Sequence, residues 1–357
     1  MTVTVPYSAL RTFVTGQFTA HGVPPRRAAL AADALCHGDL TGAGSHGVFN
    51  LARLYLPLLR DGRADPAAEP RAVRDTGPCV LLDACRALGL WSAAEAMDLA
   101  VVRARRYGVG LVSVRGGTHL GCAGFAALRA ASRGMVGVVA SNCGGQRIAR
   151  PPGGAVAMLG TNPLAVAAPA VEDHPFLLDM STTVVPTGRV RLAAAAGEPV
   201  PAGWLADDSG REVTDPAAFD RGEAHLRWLG GTPELGVYKG FGLGLVVELL
   251  AAAVSGAGLG PGPAALRGDG RPSGRDDDIG FLLMAVAPLH TGFGETARSL
   301  FGALLACPPA DPSAPVRYPG WPEAERARRR RREGVPLPGP VYDELAALGF
   351  GRVAVTG

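Results

Sequence analysis

Two histidines stand where backbone can close on a ligand. His46 lies in Gly42-Ala-Gly44-Ser45-His46-Gly47, and His119 lies in Gly116-Gly-Thr-His119-Leu-Gly121, directly after a β-like apolar run. Imidazole suits proton transfer near neutral pH because its ordinary pKa is about 6.5, and neighbouring glycines let backbone approach a ligand closely. A lone histidine is more often a packing residue, and His21, His37, His174, His225 and His290, which lack such settings, read as surface or packing residues. Asp179 closes the run Phe176-Leu-Leu-Asp179-Met-Ser-Thr-Thr183, as a turn acceptor or as the orienter of a catalytic histidine. A carboxylate beside imidazole favours its protonated form.

Two further segments offer polar groups. Leu159-Gly-Thr161-Asn162-Pro163 supplies hydroxyl, amide and backbone donors in a turn. Lys239, the one lysine among 35 cationic residues, opens an apolar helical stretch where it can place a charge on phosphate or carboxylate. The formal GxGxxG at residues 42 to 47 follows the end of a helical pattern. A dinucleotide fingerprint must instead follow a strand and open a helix, so that reading is rejected.

The elements that must carry these groups are mixed. Apolar spacing predicts helices over Ser8 to His21, Ala28 to Cys36, Trp91 to Tyr107, Gly124 to Ser132 and Gly294 to Cys307. Short β-like runs at Cys79 to Asp83, Val109 to Val114, Val136 to Ala140, Leu164 to Ala168, Phe176 to Asp179 and Gly280 to Ala287 read as strands. Gly256 to Asp278 reads as a surface loop. Gly240 to Gly260 is apolar enough to suggest a membrane span, but Glu248 at its middle and glycines spaced by fours predict a buried, closely packed helix. Arg326 and the run Arg328 to Arg332 read as a solvated helix, because no aromatic residues interleave as in a nucleic-acid surface.

Composition bounds the class. A 357-residue chain with 47% hydrophobic and 19% charged residues is neither disordered nor fibrous, and a net charge of +3 selects no partner. Cys36, Cys79, Cys85, Cys122, Cys143 and Cys307 show no CxxC pair and no zinc spacing. Free thiols in a reducing, cytoplasmic setting are expected, with no metal, and the N-terminus shows no export signal.

Nine motifs run in one order: Ser45-His46-Gly47, His119-Leu-Gly121, Pro151-Pro-Gly-Gly154, Leu159-Gly-Thr-Asn-Pro163, Leu178-Asp-Met180, Gly203-Trp204, Thr214-Asp-Pro216, Gly230-Gly231 and Tyr238-Lys-Gly240. Together they resemble the malate/L-lactate dehydrogenase family, which is unrelated to the Rossmann-type lactate dehydrogenases. That family also holds ureidoglycolate dehydrogenase, diketogulonate reductase, sulfolactate dehydrogenase and the cyclic-imine reductases. The resemblance implies an α/β (α+β) fold with a non-Rossmann, largely antiparallel cofactor-binding sheet. A helical domain from both chain ends, residues 1–75 joined by 296–357, would flank a catalytic domain over 76–295.

The resemblance further implies an NAD- or NADP-dependent oxidoreductase acting on a small molecule, without nucleic-acid or membrane partners, as a homodimer with shared active sites. By position His46 matches the proton donor or acceptor, beside Ser45, and His119 the second active-site histidine. Asp179 would orient His46. Thr161, Asn162, Leu178, Asp179, Met180, Ser181, Lys239, Pro319 and Gly320 match cofactor contacts. The arginines that commonly read a substrate carboxylate are replaced by Thr41 and Asn50, leaving Arg53 or Tyr55 as substitutes. Gly116-Gly117 stands for Asn-Ser, Arg189 for lysine, Trp321 for glutamate, and Phe281 and Ala287 for polar residues. A remodelled pocket is expected. Its substrate is an atypical 2-oxo acid or a cyclic imine of a specialised pathway, and a non-catalytic homologue is the rival outside enzymes.

Overall fold

The computed structural model describes residues 2–351, so the last six residues of the expected C-terminal segment lie outside the described residues. In chain order the strands are β1 (Thr2–Val5), β2 (Arg71–Asp75), β3 (Cys79–Asp83), β4 (Val109–Gly117), β5 (Val136–Ser141), β6 (Leu164–Val171), β7 (His174–Met180), β8 (Leu205–Ala206), β9 (Glu212–Val213), β10 (His225–Leu226), β11 (Ile279–Val286) and β12 (Val335–Pro338). The helices are α1 (Tyr7–Ala20), α2 (Pro25–Thr41), α3 (Leu56–Arg60), α4 (Gly89–Tyr107), α5 (Ala123–Ala131), α6 (Thr187–Ala196), α7 (Ala217–Arg221), α8 (Tyr238–Val247), α9 (Phe293–Leu305), α10 (Trp321–Glu333) and α11 (Gly339–Ala347).

The main sheet has seven strands in the order β2-β3-β4-β11-β5-β6-β7. Only β3 and β4 pair in parallel, across the long helix α4, and every other pairing is antiparallel. A parallel pair needs such a crossover, whereas the antiparallel neighbours close through shorter turns or distant returns. Strands β1 and β12 pair antiparallel and tie the two chain ends together. One apolar core runs from Leu10 of α1 through Trp91 of α4 to Leu283 of β11 and Leu345 of α11. The helical segments and the sheet therefore share one core, and β2, before residue 76, already belongs to the sheet. A second, smaller core around Val190, Leu205, Phe219 and Leu226 holds the β8-β9-β10 sheet with α6 and α7.

Three elements depart from the sequence reading. Helix α2 passes Gly38 and stops at Gly42, in left-handed conformation, rather than near His37. Gly38 is a contact point, because a Cβ there would come within 2.8 Å of the Gly47 nitrogen and the His46 carbonyl carbon. The stretch from Gly240 is not buried all round. Gly240, Gly244, Val247 and Ala251 face inward, while Tyr238, Leu245, Val246, Leu249 and Val254 are exposed. Among the described residues no helix is long and apolar enough to cross a membrane.

The arginine run is not wholly solvated either. Arg326 and Arg330 of α10 donate to the carbonyls of Thr41 and Asp39, at the C-terminal end of α2. Those carbonyls lack helical partners, and the helix dipole favours cations there. Trp321, where the family resemblance leads one to expect glutamate, stacks on His174 with ring centroids 3.8 Å apart.

Candidate active site

The loop after α2 brings His46 against the loop after β4, which carries His119. The two imidazoles stack with centroids 5.7 Å apart and planes 22° from parallel. Ser45 Oγ lies 3.1 Å from His46 Nδ1. The buried carboxylate of Asp39 accepts the Val48 N–H at 2.8 Å and fixes the loop from beneath. A Cβ on Gly47 would lie 2.3 Å from that carboxylate, so glycine is required for the approach. Helix α6 closes the other side, since a Cβ on Gly188 would come 2.9 Å from Ser45 Cβ.

Burial, followed by repulsion from His119, holds the His46 imidazole down at about 3. His119 is also lowered by burial, against an opposing pull from Asp276. Both rings are therefore neutral at physiological pH. Tyr55 Oη lies 2.7 Å from His119 Nδ1, and the Gly121 N–H donates to the same nitrogen at 3.2 Å. Tyr55, expected as a substitute reader of the substrate carboxylate, stands instead against His119, 64 residues further along the chain, a partner that local spacing does not show.

Asp179 does not pair with His46. Its Oδ2 accepts the Gly124 N–H at 2.7 Å, at the first turn of α5, which begins just after the His119 loop. A Cβ on Gly124 would meet that oxygen at 2.8 Å, so only glycine permits the bond. Asp179 stands in a recess: protein crowds it on most sides, yet its own surface is exposed. Crowding pushes the carboxyl up to about 6, with the Gly124 bond opposing.

The other residues expected to read substrate are engaged elsewhere. Thr41 donates its hydroxyl to the His37 carbonyl and faces a crevice between α2, α5 and α10. Asn50 Nδ2 donates to the Ser45 carbonyl at 2.8 Å, inside the His46 loop. Arg53 pairs with Glu344 of α11 and lies over the Phe49 ring. Sequence spacing could not reveal the partner of Arg53, since Glu344 is almost three hundred residues away. Two other departures form one repacking: the Phe281 ring fills the space that a Cβ at Gly117 would need, at 2.8 Å.

Around Asp179 the expected cofactor residues converge in part. Pro319 accepts the Leu177 N–H at 3.0 Å, so Pro319 and Gly320 lie along β7. Thr161 accepts the Thr182 N–H at 2.9 Å, which sets its turn beside Met180 and Ser181. Lys239 is reached through Leu229, whose N–H bonds Thr182 and whose carbonyl accepts Gly240 N–H. It forms no ion pair among the described residues. Asn162 is a structural residue: it is fully buried, with positive φ, and its Nδ2 donates to the Gly244 carbonyl and to Glu248. No group of three or more His, Cys, Asp or Glu residues suited to a metal occurs among the described residues.

Similarity to known proteins extends along nearly the whole chain. The malate/L-lactate dehydrogenase family pattern matches residues 5–346. A malate dehydrogenase of Pyrococcus abyssi is 38% identical over 255 residues, 71% of this chain and 69% of the relative. The (2R)-3-sulfolactate dehydrogenase (NADP(+)) of Chromohalobacter salexigens is 34% identical over 344 residues, covering 96% and 97%. The crystal structure of malate dehydrogenase from Entamoeba histolytica superposes with a TM-score of 0.89 at 27% identity, over all of both chains. The chain thus belongs to the malate/L-lactate dehydrogenase family, and it is a nicotinamide-dependent oxidoreductase of small molecules.

Proposed function

We propose that the cleft between the His46 and His119 loops interconverts a small anionic alcohol or amine with its C=O or C=N counterpart, with His46 moving the proton. The observation that carries this reading is the neutral, stacked pair of His46 and His119, brought together from two loops. When bound, the nicotinamide supplies or accepts the hydride. His46 Nε2 takes the hydroxyl or amine proton in oxidation and returns it in reduction. Ser45 can follow either state, because a hydroxyl both donates and accepts. An anionic substrate beside the ring favours imidazolium and so couples proton loading to binding.

The open edge of β7 supports the cofactor reading. Leu177 turns its N–H outward to Pro319, and alternation along the strand turns the backbone groups of Asp179 the same way. They have no partner among the described residues, which suits a carboxamide or ribose. Thr161, Leu178, Met180, Ser181, Pro319 and Gly320 would surround it, and Lys239 would meet a phosphate or ribose. Lys239→Ala should weaken binding of NADH or NADPH by about 1.5–3 kcal/mol, roughly ten- to hundredfold, as for a lost hydrogen bond to a charged group. Unchanged affinity in calorimetry removes Lys239 from the site.

The substrate reading rests on the engaged Thr41, Asn50 and Arg53, which leave no guanidinium fork from this stretch to read a carboxylate. Pyruvate and oxaloacetate should be poor substrates, with kcat/KM below about 10⁴ M⁻¹s⁻¹, the low end of the usual enzyme range. Efficient turnover of either acid overturns the inference. Asn50→Arg should not rescue them, because it removes the bond that holds the Ser45 carbonyl.

The exposed Tyr238, Leu245, Val246, Leu249 and Val254 strip supports a homodimer, and Lys239 on the same helix would place the partner beside the cofactor. Sedimentation should give twice the 36.6 kDa chain mass for the protein, and Leu249→Glu should shift it toward the monomer. A wild-type monomer at micromolar concentration contradicts this. Six free cysteines support work in the reducing cytoplasm.

A further inference from the structure

We propose that Tyr55 is a positioning residue that locks His119 in its Nε2–H tautomer, making the second histidine a fixed hydrogen-bond donor while His46 alone carries the proton. The inference rests on the reading of this cleft as the reaction site, and it divides labour between two rings of the same chemical type.

Each ring nitrogen can either donate or accept, according to whether it carries a proton. A backbone N–H only donates, so the Gly121 N–H at 3.2 Å requires a lone pair on His119 Nδ1. The Tyr55 hydroxyl, 2.7 Å from the same nitrogen, adds a second donor. Tyr55 is fully buried, and burial pushes its phenol well above the ordinary range, so its proton stays on and remains available to donate. Protonating Nδ1 would set N–H against N–H. With Nδ1 as acceptor, the neutral ring must carry its proton on Nε2.

His46 faces the opposite condition. Its Nδ1 partner is the Ser45 hydroxyl, which reverses from donor to acceptor without moving its oxygen. One imidazole is thus free to change protonation state and the other is not.

The surroundings of His119 leave this arrangement intact. Tyr55 is held by the Phe18 ring, edge-on with centroids 6.4 Å apart. The charged or titratable groups that face the pair are His46, whose ring is neutral, Cys122, whose thiol burial pushes well above its ordinary value, and Asp276. Asp276 favours imidazolium, but it is paired with Arg63. A donor fixed on Nε2 stabilises charge on a substrate oxygen or nitrogen without reorganising during the step.

Nitrogen-15 spectra of histidine-labelled full-length protein, free of ligand, test the assignment before any substrate is known. In the wild type, His119 Nδ1 should give the signal of an unprotonated nitrogen and Nε2 that of an N–H, unchanged between pH 5 and 8. Tyr55→Phe should remove the stronger donor, so that His119 shows mixed tautomers or titrates within that window. On a turned-over substrate it should lower kcat about tenfold, add an ionisation to the kcat/KM profile and leave cofactor affinity unchanged. A wild-type His119 protonated on Nδ1 overturns the proposal even if Tyr55→Phe does not fold. So does a folded Tyr55→Phe protein in which the His119 signals keep their wild-type form. The spectra of free protein do not depend on His46 acting as acid or base, so failure of that role is read separately from the His46→Ala kinetics.

Discussion

Replacing His46 by alanine is expected to lower turnover by about 10²-fold or more on any substrate the enzyme accepts, with NADH or NADPH affinity nearly unchanged. Positioned proton transfer typically contributes about 10²–10⁴ in rate, and it acts in the transition state rather than in cofactor binding. The pH dependence should carry the same signature. With the free imidazole held at about 3, oxidation needs no prior loss of a proton, so its kcat/KM has no fall attributable to His46 between pH 8 and pH 5. Reduction must load a proton and should weaken as pH rises. Turnover by His46→Ala within a few-fold of wild type would remove His46 from proton transfer.

The second large effect is expected on stability. Glu248 is buried where α8 passes into a π-helical turn, Glu248–Ala253. Its Oε1 accepts Asn142 Nδ2 at 3.2 Å and the Gly260 N–H at 3.0 Å, and its Oε2 accepts Asn162 Nδ2 at 2.8 Å. This one carboxylate ties the end of β5, the Thr161 turn and the loop after α8 to a single point. Glu248→Ala should cost about 3–5 kcal/mol, since each buried donor left without a partner costs about 1–3 kcal/mol. Glu248→Gln, which keeps one carbonyl acceptor, should fall between. Denaturant unfolding that places Glu248→Ala within about 0.5 kcal/mol of wild type, the range of ordinary surface substitutions, would show that the network is solvated in the folded protein.

Much of this architecture was legible in the sequence where local chemistry decides it. The strands at Cys79, Val109, Val136, Leu164 and Phe176 stand as read, because β-branched and apolar runs between glycines have few other uses. The histidine loops were legible because glycine and a hydroxyl flank them, and the ordered motifs carried the family. What escaped was set by distant partners. The helix from Ala28 reads as ending at Cys36, yet it runs on through Gly38, which makes a close contact with the Gly47 loop. Arg326 read as solvent-facing because the carbonyls it meets lie almost three hundred residues earlier. Asp179 read as a partner of His46, whereas the bare Gly124 N–H at a helix start takes its carboxylate. Asn162 carries the motif of a cofactor contact, yet Glu248 claims its amide.

Proton transfer by His46 is tested by following nicotinamide absorbance while wild type and His46→Ala are offered a panel of 2-oxo acids, sulfonated 2-oxo acids and cyclic imino acids, with NADH and with NADPH. Wild type should consume at least one cofactor with at least one C=O or C=N compound of this panel other than pyruvate and oxaloacetate. The same reaction should fall by about 10²-fold or more in His46→Ala. Full activity in His46→Ala, or no consumption of either cofactor by wild type with any compound of the panel, would contradict this.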